Sequence, residues 1–149
     1  MRAVVQRVSA ARVVISGKEH SKIGSGMLIL VGVEKGDTPQ DAQNLARRVS
    51  ELRIFEDDAG KMNRSIQEVQ GSVLAVSQFT LLGDCRKGRR PSFDDAAEPA
   101  IARDLYAQFV SEIEKLGIPT STGVFQAMMA VELTNQGPVT FILDSRKRF

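Results

Sequence analysis

Two short segments of the 149-residue chain hold the residues best placed to do chemistry, and neither brings a conventional nucleophile. Asn135-Gln136-Gly137-Pro138 combines a glycine with the one peptide type that adopts cis at modest cost, roughly 0.5–1 kcal/mol, so its chemical asset is backbone direction. By spacing alone it reads as a hairpin turn joining two strands; the other reading is a rigid backbone device in an active site. Ser77-Gln78-Phe79-Thr80-Leu81 leaves an apolar strand for a loop, where consecutive N–H groups can turn outward and stabilise a developing oxyanion. Its plainer reading is a strand end whose Phe79 packs into the core.

The familiar catalytic groups are missing or badly placed. His20 is the only histidine and lies in a polar stretch between Glu19 and Ser21, which reads as surface and removes Ser-His-Asp and Cys-His mechanisms. Cys85 is the only cysteine, so no internal disulfide and no thiolate-rich metal site is available, and a structural metal is not expected. Asp57-Asp58 and Asp94-Asp95 are adjacent pairs, which suit turns and helix starts better than two sides of one substrate bond. Gly24-Ser25-Gly26 precedes a strand rather than a helix, and no glycine-rich loop ends in Lys-Ser or Lys-Thr, so no nucleotide cofactor is indicated. Catalysis then falls to backbone N–H groups, to placement, or to a functional group of the substrate.

The elements that must position these segments are mostly strands. Residues 2–8 and 12–16 are valine-rich and read as two strands, with Gly17-Lys18 turning into a third over 19–24. Residues 27–34 are continuously apolar, as in a central strand buried on both faces. Thr38-Pro39-Gln40-Asp41 has the pattern of a capped helix start, and Ala42, Leu45, Ala46, Val49 and Leu52 share one face of a helix over about 39–52. Residues 54–55 and 66–69 around the Asp57-Asp58-Ala59-Gly60 turn read as a hairpin leading to an apolar strand over 72–78. Asp94-Asp95 and Pro99 open a second helix with Ile101, Leu105, Phe109, Ile113 and Leu116 on one face, ended by Gly117 and Pro119. Strands over 128–134 and 140–144 complete the chain. The pattern predicts one domain over 1–149 of the α/β class, with antiparallel or mixed sheets in a ββα sandwich or barrel-like arrangement and two main helices packed outside.

The chain is 42% hydrophobic and 26% charged, with 20 basic and 18 acidic residues, a balance that does not favour a surface coated in positive charge. The basic residues are clustered, however, in Arg86-Lys87-Gly88-Arg89-Arg90 and in Arg146-Lys147-Arg148, which read either as solvated loops or as phosphate contacts. The longest apolar run, 27–33, is too short to span a bilayer, and the N-terminus lacks the pattern of a signal sequence, so a cytoplasmic protein without membrane contact is expected.

Taken together, the segments resemble the D-aminoacyl-tRNA deacylase family. The likeness runs through Gln6-Arg7, Arg53-Ile54-Phe55, Gly60-Lys61-Met62-Asn63, Ser77-Gln78-Phe79-Thr80-Leu81, Arg90-Pro91-Ser92-Phe93, Thr122-Gly123-Val124-Phe125 and Asn135-Gln136-Gly137-Pro138-Val139-Thr140. The combination of the Ser77 and Asn135 motifs, about 55 residues apart, is its most specific part. The resemblance implies hydrolysis of the ester between a D-amino acid, or glycine, and the 3′-terminal adenosine of tRNA, with no cofactor and with no DNA partner. It implies a homodimer in which a cis Gly137-Pro138 peptide reaches into the partner's pocket beside Ser77, Gln78, Phe79 and Thr80. Arg7 would hold that loop, Asn135 and Gln136 would support it, Met129 would lie near the pocket, and Phe79 and Thr80 would line the adenosine and ester region. Gly137 and Pro138 would select chirality, their fixed carbonyls excluding an L side chain. The vicinal 2′-hydroxyl of the RNA would assist the water, which leaves Thr80 a positioning role. Arg86, Lys87, Arg89 and Arg90 would contact tRNA phosphates. The chain departs from the family pattern at Gln126 and Met128, beside Met129, and at Gln136, where Asp is frequent. Two alternatives remain open at this point: a non-catalytic RNA-binding module, and a related deacylase with a trans Gly-Pro bond acting on mischarged L-aminoacyl-tRNA.

Overall fold

A computed structural model describes residues 1–149. In chain order the elements are β1 (Arg2–Ile15), β2 (Lys18–Ile23), β3 (Gly26–Gly32), α1 (Pro39–Ser50), β4 (Phe55–Glu56), β5 (Met62–Arg64), β6 (Ser72–Ser77), a 3-10 turn (Phe79–Leu82), α2 (Pro99–Lys115), β7 (Thr120–Thr122) and β8 (Ala130–Asp144). Strand β1 organises the rest. β3 and β2 pair antiparallel with its first and second halves along one edge, while β8 pairs antiparallel with nearly all of its other edge. From β3 the sheet continues through parallel pairs to β6 and then β7, so the sheet is mixed. Parallel neighbours need crossover connections, and α1 and α2 supply the two of them. The Ser21 hydroxyl of β2 donates to the Thr122 carbonyl of β7 at 2.7 Å, which draws the far side of the curved sheet back toward β2 and makes it barrel-like.

The sheet buries both faces. Ala3, Val5, Met27, Ile29, Val31, Val73 and Ala75 meet Leu45 and Val49 of α1 and Phe109 and Ile113 of α2 in the larger core. Val8, Ala11, Val13, Leu28, Leu74 and Val76 form a second, smaller cluster. In β1, Val5 lines the larger core whereas Ala11, an even number of residues further on, lines the smaller one on the opposite face, which a regular two-residue pleat forbids. The register slips on the β8 side between Gln6 and Val8 and again between Val8 and Ala10 supply the missing residue of phase.

Several expectations are corrected. Residues 2–8 and 12–16 are one strand, because those slips let the chain change face without breaking its ladder. Residues 66–69 form turns; the ribbon partner of β4 is β5. The second helix begins at Pro99, not at Asp94-Asp95, and Ile101 in its first turn is 53% exposed. Residues 130–134 and 140–144 belong to a single strand, β8. The helix start at Thr38 is as read: Asp41 N–H donates to the Thr38 hydroxyl and Thr38 N–H to the Asp41 carboxylate. No helix is long and apolar enough to cross a membrane.

A set of buried carboxylates ties the chain's last residues to the start of the sheet. Arg148 forks onto Glu34 at 2.9 and 2.5 Å and reaches Asp144 at 2.6 Å, while Arg146 pairs with Asp37 at 3.0 Å. Hydrogen bonds from Arg148 hold the Glu34 carboxyl below its ordinary range against the opposing effect of burial. At Asp144 burial pushes upward, but hydrogen bonds from Arg148 and from the Arg146 N–H outweigh it and the net direction is down. Lowered carboxyl pKa values contribute stability above the unfolded-state value of about 4, and that contribution is lost as pH falls through the folded values. Arg148→Ala is therefore expected to cost about 1–3 kcal/mol at pH 7, with the difference from the parent shrinking at about pH 3, in urea unfolding curves at both pH values. A cost that does not change with pH would contradict the assignment.

Candidate active site

The ladder between β1 and β8 is unequal. Gln6 faces Thr140 and Val8 faces Asn135, so Arg7 alone stands opposite residues 136–139, which leave the sheet and return to it. This corrects the hairpin reading: both flanks pair with the same neighbour in the same direction, so the segment is an excursion within one strand and reverses nothing. Arg7 is only 7% exposed, and a buried guanidinium must find acceptors. Its Nε donates to the Gln136 carbonyl at 3.2 Å, its Nη1 donates to the Ile54 carbonyl at 2.8 Å, and Nη2 lies 3.8 Å from Glu56. Gly137 has φ +125°, and a Cβ there would sit 2.7 Å from Val139 Cγ2 and 3.0 Å from Arg7 Nη2. Only glycine fits the conformation and the space. The Gly137–Pro138 peptide is cis, and Gln136, Gly137 and Pro138 are exposed.

The second segment sits at the end of β6. Gln78 N–H still donates to the Val31 carbonyl at 2.8 Å, and the chain then tightens into the 3-10 turn. The first N–H groups of a helical turn have no acceptor within it, so Phe79 and Thr80 are the backbone donors this segment presents. Phe79 is 56% exposed, which sets aside the core-packing reading, and meets Phe93 edge-to-face at 4.9 Å between ring centroids. The exposed Thr80 hydroxyl accepts from the Gln78 side-chain amide, and Ser77 is half-buried. Tyr106 packs below, donating to the Ala75 carbonyl at 2.9 Å, and burial pushes its phenol up to about 12, beyond use as an acid or base at neutral pH. No group of three or more His, Cys, Asp or Glu side chains is placed to hold a metal ion.

Within one chain the two segments stand apart. Ser77 aligns through Val31 and Ala3 with Leu143 of β8, whereas the excursion lies opposite Arg7. Measured along the sheet, three strand spacings and four residues of rise, roughly 20 Å, lie between them. Met129, half-buried, lies at the start of β8; its sulfur accepts from Val124 N–H at 3.3 Å and occupies the space a Gly123 side chain would need. Beside it, Gln126 has φ +64° and Met128 is 92% exposed.

The basic cluster tips a loop closed by reciprocal backbone hydrogen bonds between Asp84 and Ser92, at 2.7 and 3.0 Å. Arg86 is occupied there, donating twice to the Asp84 carboxylate and holding it at a pKa of about 2, while Lys87, Arg89 and Arg90 are exposed and make no ion pair. His20 and Cys85 are both exposed. Two surface clefts, one around Arg12 and Glu132 and one around Arg47 and Glu112, lie outside both segments. Residue-by-residue reading missed the roles of Gln6, Thr140, Glu56 and the Ile54 carbonyl. The signal was the unequal spacing across the β1–β8 ladder, visible only once the two strands are paired.

A family model described as D-Tyr-tRNA(Tyr) deacylase matches residues 4–144. A D-aminoacyl-tRNA deacylase of Geobacter sulfurreducens is 62% identical over 148 residues, covering 99% of this chain and 97% of the relative. One of Desulforamulus reducens is 56% identical over 149 residues, covering all of both chains. Among solved structures, one described as c-Myc DNA unwinding element binding protein has a TM-score of 0.92 at 38% identity, over 97% of this chain and 98% of that one. A probable eukaryotic D-amino acid tRNA deacylase, at 17% identity over 96% and 98% of the two chains and a TM-score of 0.81, shares the fold.

With its hydroxyl accepting from the Gln78 amide and hydrogen-bonded to no base, Thr80 is expected to position rather than attack. Thr80→Ala should lower the rate of ester hydrolysis by no more than about tenfold in single-turnover assays, the scale of one lost contact. A fall to the rate in buffer would make Thr80 the nucleophile.

Proposed function

The chain belongs to the D-Tyr-tRNA(Tyr) deacylase family, and from that premise we propose that it hydrolyses the ester joining a D-amino acid, or glycine, to the 3′-terminal adenosine of tRNA. The products are the free amino acid and tRNA. Water adds to the ester carbonyl carbon, the negative charge gathers on the carbonyl oxygen, and collapse expels the ribose 3′-oxygen, which takes a proton. The N–H groups of Phe79 and Thr80 face the developing oxyanion, and the vicinal 2′-hydroxyl of the substrate orients the water. This division of labour asks nothing of a protein base, a metal or a cofactor. Ser77 and Gln78 shape the strand end that presents those N–H groups.

The observation that carries the stereochemical part is the glycine–proline excursion pinned by a buried arginine. Carbonyls held in fixed directions beside the substrate Cα collide with an L side chain and leave room for a D side chain or a hydrogen. Arg7, Asn135 and Gln136 support the excursion, and Met129 borders the pocket. Because three strand spacings and four residues of rise, some 20 Å along the sheet, lie between excursion and donors within one chain, the complete site requires a second copy, with each excursion entering its partner's pocket. The outer edge of β8 supports such pairing, since Leu133, Phe141 and Ile142 stay substantially exposed there. The domain over 1–149 thus works as a homodimer, in the cytoplasm, where charged tRNA is made.

Purified protein is expected to release D-amino acids from D-aminoacyl-tRNA well above the buffer rate while sparing the L-aminoacyl form. Absence of turnover on both would point to the RNA-binding module, and turnover on the L form alone to the deacylase of opposite handedness. The basic loop gives a second expectation. Lys87→Gln, Arg89→Gln and Arg90→Gln should each lower the slope of log affinity against log salt by roughly 0.7–0.9 for tRNA, whereas Arg86→Gln should change it little, its charge being spent on Asp84. Equal effects at all four positions would refute that partition.

A further inference from the structure

The excursion has two legs, and Arg7 secures only the first of them, at the Gln136 carbonyl. Its neck is narrow, because Gln6 and Val8, the positions that face Thr140 and Asn135, are about 7 Å apart along β1. Three side chains meet at this neck. Asn135 Oδ1 accepts the Val139 N–H at 3.1 Å, and Asn135 Nδ2 donates to Thr140 Oγ1 at 3.0 Å. The same Thr140 oxygen accepts from Gln6 Nε2 at 3.3 Å. Each group is used according to its type: the amide oxygen takes the backbone donor, the amide nitrogen gives to the hydroxyl, and the hydroxyl oxygen fills both acceptor positions.

From this arrangement we infer that Gln6, Asn135 and Thr140 form a hydrogen-bonded lock on the return leg of the excursion, and that Thr140 and Gln6 are positioning residues that set how sharply D and L substrates are distinguished. The inference rests on the reading of the excursion as the stereochemical filter. A carbonyl can exclude an L side chain only if it does not yield, and a leg free to swing by an ångström would yield. The first leg is fixed by a buried guanidinium. The second has no charge on it, so its stiffness comes from the Asn135 amide, and the Asn135 amide is held in turn by the Thr140 hydroxyl and, through it, by Gln6 on the neighbouring strand. Thr140 is exposed and Asn135 and Gln6 are half-buried, so the lock contributes little to the core and its loss is felt locally.

The test is a comparison of single-turnover rates on D- and L-aminoacyl-tRNA carrying the same amino acid. Thr140→Val keeps the shape and strand preference of the side chain and removes both hydrogen bonds to Oγ1. It is expected to lower the D-to-L rate ratio about tenfold, mainly through faster hydrolysis of the L substrate, with the D rate within a few-fold of the parent. Gln6→Met should lower the ratio by a smaller factor, and Thr140→Ser, which restores the acceptor, should return it. A purely structural role would lower both rates together and leave the ratio alone, and that result in both Thr140→Val and Gln6→Met would overturn the inference. Gly137→Ala, which drives a Cβ against Val139 and Arg7, distinguishes failure of the lock from failure of the filter. If it changes the ratio and the lock variants do not, the lock is wrong and the filter stands; if none of the variants changes the ratio, the filter reading fails as well.

Discussion

One residue of β1 facing four residues of β8 is the constraint from which the rest of the molecule's special features follow. An antiparallel ladder that resumes its register after such a mismatch must push the surplus backbone out of the sheet and hold it there. The ejected backbone would otherwise be an ordinary mobile loop. Here the residue left opposite the gap is an arginine, too long to lie flat in the ladder and too costly to bury unpaired, and it spends its donors on the Gln136 and Ile54 carbonyls. The need to satisfy Arg7 and the need to restrain residues 136–139 are answered by the same hydrogen bonds. Gly137 then follows as a requirement, since its left-handed φ and the nearby guanidinium leave no room for a side chain.

The same economy marks the other segment. β6 is ended by a single 3-10 turn, which leaves Phe79 and Thr80 exposed just after Gln78, whose N–H anchors the backbone to the Val31 carbonyl. Both segments are backbone held by the sheet, one at the outer strand and one at the far end of β6. For the proposed reaction on an ester whose own ribose carries a hydroxyl, such backbone suits the task, because rigid placement of N–H groups and carbonyls costs little reorganisation. The curved sheet and the two helices serve as the frame. Filling the larger core with Phe109, Ile113, Leu45 and Val49 fixes β1, β3 and β6 in register, and the register in turn places both segments.

Much of this could be read from the residue types, and the limits of that reading are physical. The capped start at Thr38, the apolar run of β3 and the helical face of Leu105, Phe109 and Ile113 are local signals, and each survives into the structure. The reading of 66–69 as a strand failed because Ile66 is buried beneath turns, and burial alone does not distinguish a strand from a packed turn. Periodicity puts Ile101 on the buried face, yet it stands in the first turn of α2, a turn without a buried residue, and is exposed. Asn135-Gln136-Gly137-Pro138 has hairpin composition, and only the pairing of both its flanks with one strand reveals that the chain does not reverse. The likeness of short motifs pointed to the right family, whereas the contacts of Gln6, Thr140 and Glu56 are long-range pairings that no local pattern encodes.

The central claim is that residues 136–139 are held as stiffly as the sheet they leave. Amide-resolved hydrogen exchange at Val139 measures this directly, because its N–H points to the Asn135 side chain rather than to a neighbouring strand. The account predicts protection at Val139 close to that of paired amides in β8, far above the exposed amides of the loop around Gly88. Exchange at Val139 as fast as at that loop would show a mobile excursion and contradict the account.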